Sequence, residues 1–107
     1  MERNALVVLT TVSTEDDART LVQTLVDGRL VACGTLLGGA RSIYRWAGAV
    51  REAAEVLVVL KTHASKWPAL VAAIRARHPY AVPELLALPV THGLEEYLAW
   101  VASEVGA

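Results

Sequence analysis

The residues best equipped for chemistry sit in "IRARHPYAVPELLALPV" (74–90), where an imidazole, a phenol and a carboxylate (His78, Tyr80 and Glu84) are interleaved with prolines. A neutral imidazole suits Cu(II), Zn(II) or Ni(II). It is equally suited to the carbonyls at a helix C-terminus, where positive charge is favoured, and this structural role outweighs ligation. Glu84 can serve as a hard oxygen ligand, or pair with an arginine across a subunit interface, which is the favoured reading. Tyr80, between Pro79 and Pro83, is expected to pack its ring and leave its hydroxyl in water. The trio lacks a recognised metal spacing. A complete site would need ligands from elsewhere, such as another chain.

Other candidates are scattered. Cys33, between Ala32 and Gly34, reads as a buried, inert thiol; the alternatives are a soft-metal ligand for Cu(I) or a nucleophile beside a histidine. Lys61 closes the apolar run "AEVLVVLKT" (54–62) and is expected to pair with Glu55 or Glu84, or to meet an anionic ligand in a cleft. Tyr44 and Trp46, two apart on one strand, can line that cleft or pack an interface. His63 and His92 stand at element ends and read as solvated. "LLGGARS" could cradle a phosphate, but without a P-loop signature it is more simply a bulge. There is no Ser-His-Asp elbow, His-Glu-x-x-His or paired-cysteine zinc motif.

These side chains need a scaffold. "ALVVLTTV" (5–12) is continuously apolar and β-branched, as in a strand covered on both faces. Ser13 or Thr14 can cap the following helix, Glu15, Asp16 and Asp17 suit its positive end, and Gly28 can stop it. Residues 30–46 read as a long strand, bent or bulged at its glycines. Gly48 marks a tight turn, and 54–62 returns as the second clean apolar strand, so 30–62 looks like a long hairpin. Ser65 is placed to cap a second helix, with Pro68 in its first turn. Pro79 disfavours helix at His78. "ELLALPV" (84–90) reads as a short strand. Gly93 precedes a last helix with Leu94, Tyr97, Leu98 and Val101 on one stripe.

The order β-α-β-β-α-β plus a terminal helix predicts an α+β fold, a ferredoxin-like βαββαβ sandwich. In that sheet the two clean apolar strands are central and the proline-flanked fourth strand lies at an edge. The other edge, "LVACGTLL" (30–37), is apolar and uncharged, a bare margin that invites pairing with another chain.

Composition points the same way. The 107 residues suit a single domain spanning 1–107, and 54% of them are hydrophobic, above the usual ~45–50%. The surplus implies a subunit interface. Ten basic and eleven acidic residues give a net charge of -1, which argues against a nucleic-acid module. No run of ~18 apolar residues predicts a membrane span. With a single cysteine and no signal-peptide pattern, the expected setting is soluble and cytoplasmic.

Taken together, "RLVACGTLLGGARSIYRWAG", "AEVLVVLKT", "RHPYAVPELLALPV" and "YLAW" resemble the CutA family of divalent-cation-tolerance proteins, over about residues 5 to 102. The resemblance implies a ferredoxin-like protomer in a tight homotrimer, similar in architecture to the PII signalling proteins. It also implies a part in tolerance of copper and other divalent metals, with no established reaction. This chain departs from relatives linked to copper binding. It has Thr10 where they carry a cysteine and Arg77 where they carry a second histidine, so only His78 remains of that pattern.

Three functions compete. The first is a non-enzymatic homotrimer that binds transition-metal ions weakly and requires no cofactor, with His78 the best ligand and Glu84 and Cys33 weaker ones. The second is a PII-like sensor or scaffold, taking a small anionic metabolite or a protein in clefts lined by Lys61, Tyr80, Trp46 and Tyr44. The third, an enzyme using Cys33 or His78, lacks a readable nucleophile–base–orienter arrangement.

Overall fold

The computed structural model describes residues 4–107. The elements run β1 (Ala5–Val12), α1 (Glu15–Asp27), β2 (Cys33–Trp46), β3 (Ala49–His63), α2 (Trp67–Arg77), β4 (Leu86–Pro89) and α3 (Glu95–Glu104). The strands form one antiparallel sheet in the order β2-β3-β1-β4. The two continuously apolar strands are central, as their composition predicts, and β2 and β4 are the edges.

Side chains alternate between the sheet faces, so the register sorts them. Val8, Val12, Val56, Val58 and Leu60 point to one face, where α1 (through Leu21 and Leu25) and α2 (through Leu70 and Ile74) close the main core. Thr14 caps α1, its Oγ1 accepting the Asp17 amide at 3.1 Å. On the opposite face, α3 covers only one end. There Val101 and Val105 pack on Ala32, and Tyr97 reaches Cys33. No helix among the described residues is long and apolar enough to cross a membrane.

Thr10 lies on the helix-facing side of β1, fully buried, and its Oγ1 has no hydrogen-bond partner among the described residues. An unpaired buried hydroxyl costs about 1–3 kcal/mol. Thr10→Val, nearly the same shape, is therefore expected to stabilise the fold by about 1 kcal/mol, read as a higher urea midpoint at unchanged slope.

Several local expectations are corrected. β2 begins at Cys33, not residue 30. Gly28 does end α1, but with φ −81°; the left-handed residue is Arg29, at φ 56°. That turn lets the amides of Leu30 and Val31 close on the Leu25 carbonyl and sends Val31 into the core instead of along a strand. β3 is longer than 54–62 because the hairpin runs out past the helices. Out there neither face needs an apolar run, which hid its first residues from sequence. The hairpin turns through Ala47 (φ 52°) and Gly48 (φ 79°), the doubly left-handed geometry of a tight type I′ turn.

Ser65 does not cap α2. His63 Nδ1 accepts the Ser65 amide at 3.1 Å and opens a short 3₁₀ turn, Ala64–Lys66, that leads into the helix. His63 is accordingly buried, not solvated. β4 is the shorter Leu86–Pro89, leaving Glu84 in the connector. On α3, Leu98 and Val101 are buried whereas Leu94 and Tyr97 are exposed, since the helix meets the sheet along a narrower stripe than predicted.

The predicted bulge is real and matters most. Leu37 pairs with Leu57, but Ala40 pairs with Glu55. One extra residue at Gly38–Gly39, with Gly39 at φ 79°, exchanges the faces of everything beyond it. Ser42, Tyr44 and Trp46 therefore share a face with Glu55, opposite the helices. Gly34, by contrast, lies in the straight part of the strand. A Cβ there would come within 2.7 Å of Val22 and 2.9 Å of Leu60, so this glycine is set by close packing of α1 on the sheet.

Candidate functional site

Pro79 forces His78 out of the helix to an extended conformation, φ −71° and ψ 135°. The imidazole thereby folds back over the end of β1. Its Nε2 lies 2.8 Å from the Thr11 carbonyl, and its Nδ1 receives the Tyr80 amide at 3.1 Å. A carbonyl only accepts and an amide N–H only donates, so the tautomer is settled: Nε2 carries the proton and Nδ1 supplies the lone pair. His78 is 8% exposed, and both ring nitrogens are engaged.

The Tyr80 ring rests on His78, with centroids 4.8 Å apart. Contrary to expectation, its hydroxyl is not left in water. It donates to Glu55 Oε2 at 2.6 Å and lies 2.8 Å from Ser13 Oγ. Since the phenol proton goes to the carboxylate, Ser13 is the donor in the second bond. Glu55 is 8% exposed, and the hydroxyls of Ser42 and Thr11 stand near enough to favour its charge.

Burial works against the Glu55 charge, but the hydroxyls of Ser42, Tyr80 and Thr11, with His78 close by, outweigh it and hold the carboxyl below its ordinary 4.5. Tyr80 moves the other way. Burial first, then the bond to Glu55, raises its pKa above the ordinary 10. The result is an ionised carboxylate fastened by a neutral phenol. Because folding lowers the Glu55 value, its contribution is present above the ordinary carboxylate range and is lost as pH falls through the folded value. Tyr80→Phe is thus expected to cost about 1.5–3 kcal/mol at neutral pH, with the gap to the unmodified protein closing at acid pH, below the folded Glu55 value. Urea midpoints at the two pH values measure it.

This network joins two predicted residues, His78 and Tyr80, to four that sequence reasoning had not assigned to a site: Glu55, Thr11, Ser13 and Ser42. The one available signal was Glu55 itself, a carboxylate heading an otherwise apolar strand. The others lie elsewhere. Lys61 pairs with neither Glu55 nor Glu84. It donates to Thr35 Oγ1 at 3.1 Å, because six strand residues, about 20 Å, separate it from Glu55. Glu84 is exposed on the connector, and Tyr44 and Trp46 are exposed on the projecting hairpin.

Cys33 is half-buried, not sealed in the sheet. Its Sγ stands 3.5 Å from Tyr97 Oη. That hydrogen bond, followed by burial and the sulfur's charge, pushes the phenol up to about 12. In register Cys33 lies level with Lys61 and Val7. It is therefore about 13 Å of strand away from Thr11 and His78, and the fold does not bring the two soft candidate ligands together. Among the described residues no three His, Cys, Asp or Glu side chains converge on a point. One protomer therefore offers no ready donor set for a resident metal.

The second feature is the sheet face that α1 and α2 leave open. Leu86 and Leu88, level with Leu9 and Val7, are 57% and 50% exposed, and Leu37 on β2 is 48% exposed. A contiguous apolar face of this kind marks an interaction surface.

Known proteins share this arrangement. A family model described as CutA1 divalent ion tolerance protein matches residues 6–104. The divalent-cation tolerance protein CutA of Thermus thermophilus is 46% identical over 100 residues, covering 94% of this chain and 97% of that protein. The Salmonella newport protein of the same name is 45% identical over 97 residues, 91% and 84% of the two chains. Among solved structures, CutA from Xylella fastidiosa superposes with a TM-score of 0.93 at 36% identity, covering 95% of this chain and 98% of that one. The match extends from the first strand through the last helix and includes the connector that carries His78 and Tyr80, so the chain belongs to the CutA1 divalent ion tolerance family.

Proposed function

We propose that this chain is a non-enzymatic, cytoplasmic divalent-cation tolerance protein. In this reading it is a single ferredoxin-like domain that works as a PII-like homotrimer and binds copper or other transition-metal ions weakly. The observation that carries the proposal is the open sheet face with Leu37, Leu86 and Leu88, beside an edge strand β2 that bears no proline or lysine. A single copy leaves this greasy surface in water. A closed ring of copies covers it in each protomer alike.

Weak metal binding is what the donors permit. His78 would have to release the Tyr80 amide to offer Nδ1, whereas Glu84 and Cys33 are reachable but far from it. An ion held by these residues draws on more than one copy. Native mass spectrometry tests the assembly, with a stable single protomer at micromolar concentration counting against it. Calorimetric titration with Cu(II), beside His78→Ala, Glu84→Gln and Cys33→Ser, tests the ligands. Any variant whose isotherm matches the unmodified protein removes that residue from the site.

A second reading has one observation in its favour. Lys61 makes no ion pair among the described residues and turns its ammonium to Thr35 on the open face. A sensor with a small anionic metabolite between subunits would use such a cation. A thermal-shift screen separates the two: a large shift with one anionic metabolite and none with copper selects the sensor.

A further inference from the structure

Glu55 is ionised and buried, yet its partners are neutral: the hydroxyls of Tyr80, Thr11 and Ser42, with the imidazole of His78 behind them. Among the described residues no lysine or arginine ion-pairs with it. Arg41 pairs with Glu52 at 3.2 Å, Arg51 turns its Nε to the Trp46 carbonyl, and Lys61 bonds to Thr35. Buried charges are normally paired with the opposite charge. A carboxylate has about four acceptor positions, and the Tyr80 hydroxyl takes one of them, which leaves room for a further donor.

The surroundings narrow the kind of donor. The bulge at Gly38–Gly39 places Ser42, Tyr44 and Trp46 on the Glu55 face. Tyr44 and Trp46 are exposed, and Tyr44 stands close enough to Tyr80 to disfavour a phenolate there. One carboxylate bonded to the phenol of Tyr80, with Tyr44 near that phenol, suits a flat or bulky organic cation, which gains from a ring face and the charge together. It does not suit a hard divalent metal, which requires several oxygen ligands.

We propose that Glu55 and Tyr80, with Tyr44 farther along the same face, form a site for a guanidinium or ammonium group. The site goes beyond the metal-tolerance reading, although Tyr80 also touches His78. Its occupant is either a free organic cation or an arginine of a second copy, which share the same chemistry.

Methylguanidinium is the probe, titrated calorimetrically at fixed ionic strength into the unmodified protein and into Glu55→Gln, which keeps the shape but removes the charge. If the ligand is free, the unmodified protein shows saturable uptake that Glu55→Gln weakens at least tenfold and Tyr44→Leu about threefold. If a second copy already fills the site, no probe is taken up. In that case Glu55→Gln weakens the assembly at least tenfold at low salt, by native mass spectrometry and sedimentation, with the difference closing at high salt as an ion pair is screened. Equal uptake by Glu55→Gln overturns the proposal. So does absence of uptake combined with an unchanged assembly, or with an assembly weakened equally at every salt concentration. Should Glu55→Gln fail to fold, the same readouts on the surface variant Tyr44→Leu decide, and no change in either overturns it.

Discussion

Leu88→Arg is expected to release single protomers into solution. Leu88 sits level with Val7 on the sheet face that α1 and α2 leave uncovered, and half of it is exposed in the isolated chain. Covering such a leucine removes apolar surface from water, a gain of about 1.5–3 kcal/mol for a fully buried side chain. Arginine forfeits that gain and brings a charge into an apolar contact, a further cost of several kcal/mol. Together these weaken each contact at least a hundredfold, which is about 3 kcal/mol. In the proposed ring every copy carries the change, so the loss would be repeated around the assembly. The protomer itself should remain folded, because Leu88 lies outside the core cluster of Val8, Leu60, Leu70 and Ile74. Native mass spectrometry and sedimentation at micromolar concentration check the result. An unchanged assembly would show that this face is not the contact.

His78→Ala is expected to destabilise the metal-free protein by about 2–4 kcal/mol. The imidazole joins three separate pieces of chain. Through Nε2 it satisfies the carbonyl of Thr11 at the end of β1, through Nδ1 the amide of Tyr80, and its ring supports the Tyr80 phenol. Alanine leaves a donor and an acceptor without partners in a buried place and opens space beneath Tyr80. The Tyr80–Glu55 bond is then held less firmly, so the connector between α2 and β4 should also lose protection against amide exchange. Glu84→Gln, a few residues along the same connector but exposed, should leave stability within about 0.5 kcal/mol. Urea denaturation in the presence of a chelator measures both variants. If His78→Ala unfolds at the same midpoint as the unmodified protein, the two hydrogen bonds at His78 do not hold the connector, and the histidine is free for ligation after all.

The reach of sequence reasoning differs between these features. "ALVVLTTV" and "VLVVL" announced central strands because a strand buried on both faces has no polar side to show. The glycines at 38 and 39 announced a bulge for a similarly local reason, the left-handed backbone that Gly39 adopts. Pro79 announced that the helix stops at His78. Local signals failed where a distant partner outweighed them. Ser65 looked like a cap, but His63 accepts its amide. Gly28 ends the helix as read, but Arg29 takes the left-handed conformation while its guanidinium reaches the Glu104 carbonyl at 3.0 Å. Lys61 looked ready for a carboxylate, but extended backbone keeps it far from Glu55.

Which segments become strands or helices, and that two apolar strands sit mid-sheet beside a bare edge, follow from side-chain periodicity and backbone limits within a few neighbouring residues. The meeting of Glu55, Tyr80, His78 and Thr11 does not. His78 and Thr11 are 67 positions apart, and Tyr80 and Glu55 are 25 apart. Each residue looks ordinary within its own stretch. Only the folded sheet brings them within hydrogen-bonding distance, because pairing β1 with β3 stacks Thr11 near Glu55 and the proline turn lays the connector across both. A single extra residue at the bulge then determines which face Tyr44 and Trp46 share with that carboxylate, since a strand presents its side chains alternately and any one-residue shift exchanges its two sides.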